Sequence, residues 1–215
     1  MQVQGDSVVV TATRSERKLS NVTVPVTIIN AKSIQQIGAL RLTDILKEQP
    51  GITMTSGFGA GVQLQGLNPD YTIILINGEP LVGRTAGVLD LNRIALGNIK
   101  KIEIVKGPSS SLYGSEAMAG VINIITDATN KTPLQSSLRY GTYNTVDAGL
   151  NNTLASKSIF YQGYYNYYST DGYSIRPSSA SRVTTPITRV ATNQQFKYNF
   201  TDNTNVLVGL RFTNE

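Results

Sequence analysis

Residues 107–126 read GPSSSLYGSEAMAGVINIIT (Gly107 to Thr126). Glycines and hydroxyls run into an apolar stretch, and the strand-like Ile102-Glu-Ile-Val105 precedes them. Three readings compete: a phosphate cradle, a nucleophile site, or a turn in a crowded place. A phosphate loop has the spacing G-x-x-x-x-G-K-S/T and opens a helix. Here Gly114 comes too late and is followed by Ser115-Glu116. No lysine follows, and a carboxylate stands where an anion would bind. A nucleophile elbow has the pattern G-x-S-x-G, but Ser111 occupies the place of its second glycine. Only Lys106 is near as a base for Ser109–Ser111, and adjacency is all that supports that pair. The remaining reading gives the glycines backbone duties. Gly107-Pro108 starts a turn, Gly114 permits a left-handed residue, and Gly120 lets a strand pass close to something.

Composition narrows the chemistry further. The chain has 215 residues, no cysteine and no histidine. Disulfides, thiolate chemistry, the usual general base and the commonest transition-metal ligand are therefore excluded within it. The carboxylates are scattered and form no calcium loop, so no metal or cofactor is expected and catalysis is not the expected activity. The net charge of +5 is spread out, which speaks against nucleic acid as a partner. No stretch approaches the roughly 18 apolar residues of a membrane-spanning helix. Met1 is followed by Gln-Val-Gln-Gly, not by a secretory signal. Either the protein is cytoplasmic or a signal has been removed, and the motifs below favour the second.

The chain has two halves with different patterning. Residues 1–131 mix helix and strand signals. Ser33 is expected to cap a helix bearing Ile34, Ile37 and Leu40, and Thr43 a second helix stopped by Pro50-Gly51. Strands are expected at 24–29, 51–55, 62–65, 72–76, 99–105 and 121–125. The run Tyr71-Thr-Ile-Ile-Leu-Ile76 is apolar on both parities, so both of its faces should be covered, and Asn77-Gly78 turns the chain after it. After Pro133 strict alternation begins. Val146, Ala148, Leu150 and Leu154 share a parity against Asp147, Gly149, Asn151 and Thr153. Phe196, Tyr198 and Phe200 alternate with Gln195, Lys197 and Asn199, and Val206, Val208, Leu210 and Phe212 alternate with Leu207, Gly209, Arg211 and Thr213. Most tyrosines also fall in this half.

Alternating strands with tyrosine clusters fit a soluble antiparallel sheet. They also fit an outer-membrane barrel with apolar side chains toward lipid and polar ones toward a wet lumen. These residues supply four or five strands, and a closed barrel needs about eight. On the barrel reading the chain is the beginning of a longer protein.

A resemblance adds to this. The segment from Ile102 through Thr126 closely resembles the end of the plug domain of TonB-dependent outer-membrane receptors, whose pattern runs I-E-V/I-V/I-R/K-G-P and then Y-G-S/T before an A-M/I-A/G-G-V strand. Leu42-Thr-Asp-Ile-Leu-Lys-Glu-Gln-Pro-Gly-Ile52 resembles the family's L-x-x-x-P-G-V/I element. Tyr71 to Pro80 resembles its strand and turn. Leu64-Gln-Gly66 departs from the usual I/V-R-G, since Gln65 replaces the arginine. Asp6, Ser7, Val8, Val9, Val10, Thr11, Ala12 and Thr13 resemble a TonB box, the short extended segment ahead of the plug.

The resemblance implies an α+β plug followed by the first antiparallel strands of a transmembrane barrel of about 22 strands. The expected organisation is a box and N-terminal extension at 1–14, a plug at 15–131, and truncated barrel strands at 132–215. It further implies active uptake of a scarce large ligand across the outer membrane of a Gram-negative bacterium, in the manner of vitamin B12, haem and siderophore receptors. The implied partners are the TonB C-terminal domain with its inner-membrane energising complex, outer-membrane lipid, and a small-molecule or metal-chelate ligand. The box should be mobile when TonB is absent, unless residues 7–13 are simply an edge strand of the plug. Ligand contacts are expected at two glycine-rich tips, through Ser56, Phe58, Gly59 and Gly61 and through Gly83, Arg84, Thr85 and Gly87. The alternative is a soluble β-rich ligand-binding or adhesion module without a transport role.

Overall fold

The computed structural model of the chain describes residues 8–9, 11, 17–21, 24–57, 59–84, 87–96, 99–126, 133–173, 186–201 and 204–215. Two compact units divide it, Met1–Asp127 and Ala128–Glu215.

The first unit contains β1 (Val8–Val9), β2 (Arg17–Lys18), β3 (Val26–Asn30), α1 (Ala31–Ile37), α2 (Leu42–Leu46), β4 (Ile52–Gly57), β5 (Gly59–Leu64), β6 (Thr72–Ile76), β7 (Glu79–Pro80), β8 (Ile99–Lys106), α3 (Ser110–Tyr113) and β9 (Gly120–Thr126). The second contains β10 (Leu134–Gly141), β11 (Thr145–Ala155), β12 (Ile159–Thr170), β13 (Ile187–Thr201) and β14 (Thr204–Asn214).

A mixed sheet of order β3-β8-β9-β6-β7 organises the first unit. β6 and β9 run parallel, and the other neighbours are antiparallel. Every residue of β6 is buried, as its two-sided apolar pattern predicts. On one face Ile74, Ile102, Ile104, Ile122 and Ile124 pack against Leu42, Ile45, Leu46, Leu64 and Leu91. On the other face Ile73, Leu75, Val105 and Val121 form a smaller cluster with Ala117. At the sheet's centre that second face also carries Glu103 and Asn123, which stand opposite each other across β8 and β9. β4 and β5 form a separate hairpin.

The helices are present, but their starts differ from expectation. Asn30, not Ser33, caps α1: its side-chain oxygen accepts from the Ser33 backbone N–H at 2.9 Å. α2 begins at Leu42, before Thr43, because the Asp44 carboxylate reaches back to the backbone N–H groups of Leu40 and Arg41. The stretch from Gly107 to Thr126 turns through α3 and enters β9. A Cβ on Gly120 would lie 2.3 Å from the Val105 carbonyl oxygen, so glycine alone lets β9 pass there. Lys106 points away from the serines and donates to the Pro50 carbonyl at 2.5 Å. The Ser109 hydroxyl turns to the Gly107 carbonyl.

In the second unit β10 to β14 pair consecutively and antiparallel, and the sheet does not close. The register aligns Leu150 with Tyr165, Tyr167 with Val190, and Phe196 with Val208 on one face. That apolar face is the exposed one, with Leu150, Tyr165, Val190, Phe196 and Val208 all open. Asp147, Asn151, Gln162, Asn166, Arg189 and Gln195, of the opposite parity, are buried. The polarity is thus reversed relative to a water-soluble sheet and matches strands with lipid outside and polar groups within. β11 to β14 run from 11 to 15 residues, enough to cross a hydrocarbon core.

Candidate functional site

Among the described residues of the N-terminal segment, Thr11 is bonded to the plug sheet. Val8 and Val9 pair antiparallel with Lys18 and Arg17 in a two-stranded ribbon of their own. Thr11 is fully buried. Its backbone N–H and its hydroxyl both donate to Glu103 Oε2, at 2.9 and 2.6 Å. Asn123 Nδ2 donates to the same hydroxyl at 3.0 Å, and the Tyr113 hydroxyl donates to the Thr11 carbonyl at 2.9 Å. Glu103 is fully buried too, and Lys101 Nζ lies 2.7 Å from its other oxygen. A buried carboxylate needs such a cation and such donors to remain charged. Asn123 is itself oriented, because its Oδ1 accepts from the Gly78 N–H at 3.1 Å.

The described residues of the box are paired, at Val8 and Val9, or buried, at Thr11. Among its described residues, Val8 and Val9 pair with β2 and not with the plug sheet. Asp6, Ser7, Val10, Ala12 and Thr13 lie outside the described residues.

The two glycine-rich tips converge on Pro69. The β4–β5 hairpin pairs Gly57 with Gly59, Ser56 with Ala60, and Thr55 with Gly61. A Cβ on Gly61 would lie 3.2 Å from the Pro69 ring and 2.9 Å from Val88. The Asp90 carboxylate fixes the tip from below: Oδ1 accepts from the Ala60 and Asn92 backbone N–H groups at 3.0 and 3.1 Å. Gly59, at φ +100°, lies so close to Asp90 that a Cβ would fall 2.6 Å from the aspartate Cβ. Arg84 is not a free tip cation. Its guanidinium donates to the carbonyls of Pro69, Thr72 and Gly87 at 3.1, 3.0 and 3.3 Å and meets the Glu116 carboxylate at 3.4 Å. It works as a clasp between the second tip and the start of β6. Gly83 and Gly87 bracket it with positive φ. Phe58 and Thr85 lie outside the described residues.

Sequence reasoning missed Asp90, Glu103, Tyr113 and Asn123. Glu103 did leave a signal, as a lone charge in the apolar strand Ile102-Glu-Ile-Val105. No group of metal-ligating side chains occurs among the described residues.

The family described as "TonB-dependent Receptor Plug Domain" matches residues 18–121. Residues 18–121 belong to the plug family of TonB-dependent receptors. The matched span contains both tips and strands β3 to β8 with Glu103, and it ends at the start of β9. The vitamin B12 transporter BtuB of Vibrio vulnificus strain CMCP6 is 38% identical over 131 residues, 59% of this chain and 22% of that protein. The BtuB of Vibrio cholerae strain M66-2 is 36% identical over 187 residues, 80% of this chain and 29% of that protein. The chain thus spans less than a third of the length of these relatives. Among solved structures, the ferric-catecholate import receptor Fiu of E. coli K12 superposes with a TM-score of 0.72 at 20% identity, over 92% of this chain and 28% of that one. The outer-membrane ferripyoverdine receptor of Pseudomonas aeruginosa, bound to ferripyoverdine, gives 0.77 at 16% identity, over 96% and 27%. These two likenesses establish the fold: a TonB-dependent receptor plug and the antiparallel strands that follow it.

Proposed function

We propose that this chain gates the uptake of a scarce large ligand, of the siderophore-iron, haem or cobalamin class, across a Gram-negative outer membrane. The observation that carries the proposal is the plug match followed by strands of which β11 to β13 expose their apolar face and bury polar residues on the other. A plug of this kind prevents free diffusion, so transport needs work done on the plug. The box at Asp6–Thr13 is where that work enters. The TonB C-terminal domain adds a strand to it, and many backbone hydrogen bonds share the load. Ligand is received from outside by the tips around Phe58 and Arg84, which Asp90 and the Arg84 clasp hold in place. The identity to vitamin B12 transporters favours a cobalamin-like ligand over the others.

A peptide spanning Gly5–Arg14 tests the box. It should bind the TonB C-terminal domain, and Val10→Pro should abolish binding by removing a ladder donor. Undetectable binding at about millimolar peptide, the weak end of specific association, would sink the assignment if a box of established affinity binds alongside.

A further inference from the structure

Asn77-Gly78 is the one Asn-Gly dipeptide of the chain. It forms the two-residue turn between β6 and β7, with φ of +53° and +85°, and both residues are exposed. Asparagine is a labile residue, and most so before glycine, where no side chain shields the backbone nitrogen from the asparagine Cγ. Here each of the two reacting groups is held by a different residue of β9. Asn77 Oδ1 accepts from the Thr126 backbone N–H at 2.9 Å, and Asn77 Nδ2 donates to the Thr126 hydroxyl at 2.9 Å. The Gly78 N–H donates to Asn123 Oδ1 at 3.1 Å. The Asn77 N–H donates to the Ile124 carbonyl at 2.8 Å. The amide that would be attacked and the nitrogen that would attack it are thus both committed to β9, through the buried Thr126 and Asn123.

We propose that Asn77 is a modification site, deamidated through Gly78 only when this turn parts from β9, so that the plug keeps a covalent record of having opened there. In the reaction the Gly78 nitrogen gives its proton to water and bonds to Asn77 Cγ. The Cγ–Nδ2 bond breaks, and Nδ2 leaves as ammonia with a proton returned from water. A cyclic imide remains, and a further water opens it at either carbonyl. Opening on one side gives aspartate, whose carboxylate accepts from the Thr126 N–H and hydroxyl as the amide oxygen does. Opening on the other gives isoaspartate, which puts one more carbon into the main chain of the turn. A two-residue hairpin turn matches the twist of its strands only in its own backbone form, so the tie to Thr126 is lost. Thr126 ends β9, and the isoaspartate form leaves the ends of β6 and β9 free to part again. Whatever opens the turn, the chemistry is the same.

The test ages the full-length protein in detergent at neutral pH and maps its peptides for aspartate and isoaspartate at residue 77. With the plug folded, Asn77 should react at least about tenfold more slowly than in the same protein unfolded, since only the opened fraction reacts. Equal rates overturn the shielding. At urea concentrations below unfolding, deamidation should rise in parallel with hydrogen exchange of residues 72–81. Deamidation that does not follow exchange overturns the link to opening. Thr126→Val, which keeps the N–H and removes the hydroxyl, should speed the reaction about twofold to tenfold, the weight of one hydrogen bond. Thr126→Ser should return it to the original rate, and exchange in β8 should stay unchanged in both variants. An unchanged rate in Thr126→Val overturns the part given to Thr126, and so does a faster rate accompanied by faster exchange in β8, which would report loss of the fold. The first two measurements need no substitution, so they decide the matter even if Thr126→Val does not fold.

Discussion

The Arg84 guanidinium donates to the Thr72 carbonyl at 3.0 Å and so ties a glycine-rich tip to the first residue of the buried strand β6. Replacing Arg84 with alanine leaves the Thr72, Pro69 and Gly87 carbonyls short of a donor. We expect a loss of about 1–3 kcal/mol in plug stability, the cost of leaving partly buried acceptors unpaired. Lysine should recover only part of it, since one ammonium cannot span three carbonyls. Urea titration followed by hydrogen exchange of residues 69–89 measures both.

Asp90 governs the other tip. Asp90→Ala frees the Ala60 and Asn92 N–H groups together. Ligand affinity should fall about tenfold, while the exchange of β6 and β9 stays unchanged, because a charge-accepted hydrogen bond at the tip is worth this much. Asp90→Asn, which keeps an acceptor, should fall between. Titration calorimetry with the transported ligand gives the ratio, and equal affinities in all three proteins would contradict a positioning role.

Gly120 admits no side chain. Gly120→Ala places a Cβ 2.3 Å from the Val105 carbonyl oxygen at φ +153°, where two plug strands meet. Strain and overpacking together should cost about 3 kcal/mol or more. Loss of folded protein from the outer-membrane fraction is the expected outcome, and a normal level would contradict it.

The exposed face of the second unit separates lipid from water. Leu150, 40% exposed on β11, is a position where a soluble sheet accepts lysine with little change, within about 0.5 kcal/mol. Facing hydrocarbon, Leu150→Lys should cost about 2–4 kcal/mol if the residue lies near mid-membrane. Refolding into lipid vesicles under urea distinguishes the two.

Much of the fold was legible because it rests on periodicity. Thr72–Ile76 is apolar on both parities and became the strand buried on both faces. The alternation after Pro133 set which face of β10 to β14 is apolar, although pattern alone could not say which face is buried. Helix starts were less legible because their caps do double duty: Asn30 ends β3 as it caps α1. The site was the least legible part. Three partners of Arg84 are backbone carbonyls, which leave no mark in a sequence. Glu103 showed as a misplaced charge, but its partner Thr11 is 92 residues away, and only the sheet register brings Asn123 beside it.

The bonding of Thr11 to the plug sheet also fixes an order of assembly. Its two sockets lie 92 and 112 residues downstream, on β8 and β9. Closing so long a loop yields nothing until both strands are paired. Thr11 is therefore synthesised well before the strands that hold it and settles only after them. A plug that has not finished folding leaves its N-terminal segment loose and open to proteases, so a protected segment marks a finished domain.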